Sequence, residues 1–214
     1  MSTTTTIPTT PVTPAGPTAP PGLPPNSPLL SRLYRLTVRQ YGEMVQEGVL
    51  EKRDRVELIE GFLVVKLSKK PPHVVAGKKG LRTLERVIPQ GWHVAKEDPI
   101  VASDWSEPEP DLAVIRGQAE DYLQRQVMAA AVALVVEIAE SSLATDRSEM
   151  GRVYAASGIP YYWIVNLVDR QVEVYSGPGP AGYEGRQDLT PGQDIPVVVD
   201  GVEVGRIPVA DILP

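Results

Sequence analysis

The sequence predicts an α/β (α+β) domain: one mixed β-sheet flanked by a few helices. Three observations predict it. Residues 133–139 (ALVVEIA) are continuously apolar apart from Glu137, the mark of a strand buried on both faces. Residues 73–88 and 143–157 carry helical spacing before and after that run. Short β-rich runs recur between turn residues along the rest of the chain.

The elements follow in order. Residues 1–30 are a Pro- and Thr-rich tail: nine of the 22 prolines fall before residue 29, and the first charge is Arg32. Such a segment cannot bury a core, so it is expected to be disordered, with a single domain over 31–214. Thr37 is placed to cap a helix in which Val38, Tyr41 and Val45 share a face, and Gly48 is placed to stop it. RVELIEGFLVVKLS reads as a hairpin about Glu60-Gly61. In helix 73–88, Val74, Leu81, Leu84 and Ile88 line one side, and Lys78, Arg82 and Arg86 line another. Residues 92–97, 100–102 and 111–115 read as strands, and 118–126 as one or two helical turns. The helix over 143–157 stops at Gly158 and Pro160. Residues 161–168 and 172–175 form a second hairpin about Asp169-Arg170. From about residue 183, short β pieces alternate with Gly and Pro turns.

Composition removes several classes of function. There is no cysteine, hence no disulfide framework, Cys-ligated zinc or thiol nucleophile. The longest apolar run, residues 127–136, is too short to span a bilayer, and the N-terminus lacks the pattern of a secretory signal. A cytoplasmic protein with no membrane partner is the expectation. No Gly-rich phosphate loop, GxSxG elbow or HExxH occurs. Net charge is -6, yet residues 66–86 hold seven Lys and Arg against Glu85 alone. A basic segment on an acidic chain suits a polyanion and equally suits a solvated face.

Glu137 is the most informative position. A carboxylate within VVEIA is costly to bury without a metal, a cation or a water-filled cleft. Asp111 opens another strand directly after Pro110. If their strands are neighbours, the two acids converge on one side of the sheet. An oxygen-donor pair of this kind suits Mg2+ or Mn2+. The other reading pairs Glu137 with a Lys or Arg and leaves Asp111 capping a turn.

Five stretches in order carry a resemblance: ELIEG, PPH at 71–73, EPEPDLAVIRG at 107–117, LVVEIAESSLATDR at 134–147 and YAASGIPYYWIVNL at 154–167. Together they resemble the Uma family of bacterial endonucleases, assigned to the PD-(D/E)XK restriction-endonuclease-like superfamily, over residues 33–214. The resemblance implies a restriction-endonuclease-like mixed sheet with a divalent-metal site at its end. It implies Asp111 and Glu137 as Mg2+ or Mn2+ ligands, with the Ile138 carbonyl as a third. Glu57 and His73 match polar positions lining the cleft. Asp146 and Tyr154 match the helix after the second acid. The implied activity is phosphodiester hydrolysis in DNA, and a homodimer is the implied assembly.

One position departs from the pattern. The superfamily's lysine would fall at Ala139, or in this family at Met150, and neither is charged. At 100° per residue, Asp146, Met150 and Tyr154 form one stripe, and Arg147 lies about 60° from position 150. Arg147 is therefore the expected in-helix substitute, with Lys66 or Lys96 as strand-borne candidates. The departure leaves two readings: a weakened nuclease, or an inactive nuclease-fold protein that binds nucleic acid or a protein partner.

Overall fold

Thr37 opens the first helix with a full capping box. Its hydroxyl accepts from the Gln40 amide (3.2 Å), and the Gln40 side chain accepts from the Thr37 amide (3.0 Å). This helix, α1, spans Val38–Gln46. Val38 is buried, whereas Val45 lies exposed, so the apolar face is shorter than its spacing predicts. The computed structural model describes residues 27–214, and all but the last residues of the Pro- and Thr-rich segment lie outside them. The described residues fall into two units, 27–34 and 35–214. The first holds a single 3-10 turn, Leu30–Arg32.

After α1 comes the hairpin of β1 (Val56–Ile59) and β2 (Phe62–Val65). Glu60 and Gly61 turn it with φ of 51° and 85°, the two left-handed conformations that a tight type I′ turn needs. Helix α2 spans Pro71–Glu85, with proline at its start, where the missing amide costs nothing. Its buried face is Ala76, Gly77, Gly80, Thr83 and Leu84, and Val74 is exposed. The helix is rotated from the face that Val, Leu and Ile predict because small residues let it sit close to the sheet. A Cβ at Gly80 would stand 2.9 Å from Leu112 Cδ1.

Strands β3 (Trp92–Ala95), β4 (Ile100–Val101), β5 (Leu112–Arg116), β6 (Val127–Met128) and β7 (Val132–Ala139) follow. Helix α3 then runs in three contiguous stretches: α-helical Leu143–Thr145, π-helical Asp146–Met150 and α-helical Gly151–Ala156. It leads to β8 (Tyr161–Asn166), β9 (Gln171–Gly179) and β10 (Gly182–Leu189). The last two are longer than their glycines and prolines predict. They pair from Gly182 opposite Gly179 to Leu189 opposite Val172. A final hairpin joins β11 (Asp194–Val199) to β12 (Val202–Pro208).

The main sheet has six strands in the order β10-β9-β8-β7-β5-β3. Only β7 and β8 run parallel, joined through α3; the other neighbours are antiparallel. Side chains alternate between faces. Leu112, Leu134, Val136, Ile138 and Trp163 face α2 and the β11–β12 hairpin. Ala113, Val135, Ala139, Tyr162 and Ile164 face α3. Tyr162 and Trp163 are both core residues, as their place beside β7 predicts.

Candidate functional site

The register of β5 against β7 places Leu112 opposite Val136. Asp111 therefore shares a face with Ala113, and Glu137 shares a face with Val135 and Ala139. Both acids point to the α3 side of the sheet, at its end. They touch: the Asp111 amide donates to Glu137 Oε2 (3.3 Å). The Ile138 amide donates to Asp111 Oδ2 (2.8 Å). In an extended strand the amide and carbonyl of one residue face the same edge, so the Ile138 carbonyl opens toward Asp111.

A cleft of about 400 Å3 lies over these groups. Glu57 comes from β1, His73 from the first turn of α2, and Asp146 and Met150 from the π stretch of α3. Glu57, Asp111, Glu137, Ile138 and His73 are thus brought to one cleft. The register of β5 against β7 explains Asp111, Glu137 and Ile138; Glu57, on the separate β1–β2 hairpin, is held there by the Glu109 amide, and the Pro71 start of α2 brings in His73.

Each acid has a defined environment. Tyr154 donates its hydroxyl to Glu137 Oε1 (2.7 Å). Among the described residues no Lys or Arg forms an ion pair with Glu137. Burial, then the neighbouring charges of Asp111 and Asp146, hold Glu137 well above the usual carboxylate range. Asp146 accepts from the Ser142 hydroxyl (2.7 Å). Burial, opposed by that hydrogen bond and aided by the charge of Asp111, pushes Asp146 up to about 6. Glu57 accepts from the Glu109 amide (3.0 Å) and is also raised, chiefly by burial. Asp111 goes the other way. Burial opposes its charge, but His73 and Lys69 outweigh it and hold the carboxyl low.

Lys69 is the residue that the sequence does not single out. Its Nζ lies 2.7 Å from Asp111 Oδ1 and 3.1 Å from Glu97 Oε1. His73 Nε2 stands 3.0 Å from the other Asp111 oxygen. Lys69 precedes His73 by four residues and sits just before the helix start, and that spacing is the one signal in the sequence for it. Burial works against its charge, but Asp111 and Glu97 raise its pKa. Of the strand-borne candidates, Lys66 lines the cleft, paired with Glu109, while Lys96 lies outside it, paired with Glu97, each at 2.7 Å.

Arg147 does not enter the cleft. Its Nε lies 3.1 Å from Glu173 Oε2 on β9. Glu173 is fully buried, and a buried carboxylate demands a cation. It also accepts from Asn166 and Tyr175, each at 2.8 Å. The guanidinium expected to replace the missing lysine is thus held on the far side of α3. Met150 does line the cleft, as the helical stripe predicts.

Among the described residues no group of three or more His, Asp or Glu side chains is arranged to hold a metal ion. The donor set nonetheless fits one. Asp111 and Glu137 meet at a strand end beside a backbone carbonyl, all hard oxygen donors. Among the described residues seven acids line the cleft, and the charge of Asp111 helps to raise both Glu137 and Asp146. A cation there would relieve that repulsion.

A mixed sheet carrying paired acids at its end is the architecture of a restriction-endonuclease-like protein. The fold matches that of a solved protein titled "a putative nuclease belonging to DUF820" from Anabaena variabilis. The TM-score is 0.63 at 16% identity, over 83% of this chain and 97% of that one. No curated protein matches. The chain matches the Uma2 family, described as "Putative restriction endonuclease", over residues 38–209, and it belongs to that family. Among the described residues no helix is long and apolar enough to cross a membrane.

Proposed function

We infer that this protein is a divalent-metal-dependent endonuclease that hydrolyses phosphodiester bonds of DNA at the Asp111–Glu137 cleft. The observation that carries the reading is the meeting of these two strand-borne carboxylates at the sheet end of a Uma2-family chain. Asp111, Glu137 and the Ile138 carbonyl would hold Mg2+ or Mn2+. Bound there, the ion would polarise the scissile phosphate and make a coordinated water more acidic.

The chain's own residues supply the rest. Tyr154 fixes the Glu137 carboxylate, and His73 fixes Asp111. Of the lysines lining the cleft, Lys69 is the one on Asp111, and it faces the negative charge that develops on a phosphate under attack. Asp146, held by the Ser142 hydroxyl on the cleft wall, would orient the attacking water. The reading includes a homodimer, which would cut both strands. Strand Phe62–Val65, which pairs with nothing but β1 among the described residues and so keeps a free edge, supports it.

Nicking of supercoiled plasmid with Mg2+ and with Mn2+ tests the activity, with Asp111→Asn beside the wild type. Cutting by the wild type that disappears in Asp111→Asn supports the reading. A second reading, a nuclease-fold protein that binds without cutting, rests on Met150, apolar where the family carries lysine. Silence of the wild type with cutting by Met150→Lys would select it.

A further inference from the structure

We propose that the outer face of α2 is the track on which the phosphate backbone of duplex DNA lies as it enters the cleft. This rests on the endonuclease reading and extends it from the cleft to a docking surface. The track consists of Lys78, Arg82 and Arg86. All three are exposed, and no ion pair or hydrogen bond engages any of their side chains among the described residues.

Their neighbours show that this freedom is particular. Lys79 donates to the carbonyls of Ala210 and Leu213. Lys66, Lys69 and Lys70 are engaged by Glu109, Asp111 and Glu140. On the outer surface, Arg39, Arg53, Arg116 and Arg206 each have an acidic partner. The three cations, with Arg86 capping the end of α2, therefore make no ion pair among the described residues; against the single neighbouring acid Glu85 they leave this face at +2 on a chain of net charge -6.

Geometry directs the stripe at the cleft. The buried face of α2 is Ala76, Gly77, Gly80, Thr83 and Leu84. Positions 78, 82 and 86 recur at i, i+4 and i+8 on the opposite side, about 6 Å apart along the axis. Carried toward the N-terminus, the same i, i+4 row passes Val74 and reaches Lys70, which lines the cleft. The stripe spans about 12 Å, the axial rise of three to four phosphates on one strand. Its charge is complementary to that backbone, and its row meets the cleft at Lys70.

The test is fluorescence anisotropy with a labelled duplex in a salt titration. It compares wild type with Lys78→Gln/Arg82→Gln/Arg86→Gln. Glutamine keeps the helix propensity of the residues it replaces. The control is Arg39→Gln/Arg53→Gln/Arg206→Gln, an equal charge change elsewhere. Neutralising three phosphates contributes about 2.7 to the slope of log K against log salt. The track variant is expected to lose that amount of slope. Between 50 and 200 mM salt, wild type then loses about 40-fold more affinity than the variant. The control should keep the wild-type slope. An unchanged slope in the track variant, or an equal loss in the control, overturns the proposal and leaves the endonuclease reading standing. A wild type that binds no duplex overturns both. The double variant Lys78→Gln/Arg82→Gln, expected to lose about 1.8 of slope, decides the matter if the triple variant unfolds.

Discussion

Replacing Lys69 by methionine removes the one ammonium that the structure places on Asp111. Its Nζ bridges Asp111 and Glu97 at 2.7 and 3.1 Å from a segment that enters α2. If this ammonium faces the phosphate, its loss costs what the removal of one preorganised donor costs elsewhere, about 10²–10³ in rate, or roughly 3–4 kcal/mol. Folding should be nearly unaffected, because Asp111 keeps His73 and the Ile138 amide. The assay is single-turnover nicking of supercoiled plasmid at saturating Mn2+, with thermal midpoints measured alongside. A second variant sharpens it. Met150 lines the same cleft, one turn of α3 before Tyr154, whose hydroxyl holds Glu137. Lysine at 150 should therefore restore at least about tenfold of the rate lost in Lys69→Met. Cutting by Lys69→Met within about threefold of wild type would refute the assignment of Lys69. Rescue absent from the double variant would mean that position 150 does not share the place of Lys69.

Tyr154→Phe removes the hydrogen bond that orients Glu137 and should weaken Mn2+ binding by about 10–100-fold in isothermal titration; unchanged affinity would mean that Glu137 needs no support. Glu173 is held down to about 2, because the hydrogen bonds of Arg147, Asn166 and Tyr175 outweigh the effect of burial. After allowance for solvent at the half-exposed arginines, this contributes about 2–3 kcal/mol of stability. A depressed carboxylate stabilises above its unfolded pKa, so the contribution is full above about pH 4.5 and is lost as pH falls toward 2. Glu173→Gln should lower the thermal midpoint by roughly 4–12 °C at pH 7 and leave the rate of cutting unchanged below the melting range. The gap to wild type should close between pH 4.5 and 2, and a pH-independent gap counts against the ion pair. Gly80→Val would drive a branched side chain into Leu112, already 2.9 Å from a Cβ at that position. Overpacking of this kind costs roughly 1–3 kcal/mol, and calorimetry would read it. A stabilised variant would show that α2 has room to retreat from the sheet.

The paired acids were legible because a charge inside an apolar strand has few physical explanations. Period two then put Asp111 and Glu137 on one face once β5 and β7 were neighbours. The same logic applied to Gln171-Val-Glu-Val would have found Glu173, a buried acid on β9 that captures Arg147. That acid is the reason a search for the missing cation along α3 leads to the wrong residue. Helical angles rank positions on one element, but a long guanidinium goes to the deepest unpaired charge within reach, and β9 supplies it. Lys69 escaped for a different reason. It lies in a connecting segment without periodicity, and only the tertiary fold brings that segment over Asp111. The sequence placed Leu84, Leu81 and Ile88 correctly on the packed side of α2, but the rest of its buried face was illegible, because glycine, alanine and threonine carry no hydrophobic signal although they set how closely the helix packs. Their closeness matters for the site. Gly80 packs on Leu112, the residue after Asp111, and Gly77 on Ile138, the residue after Glu137. The small residues of α2 thus bear on the strand ends that hold both acids. The helix that presents His73 to the cleft is the helix that sets the depth of its floor.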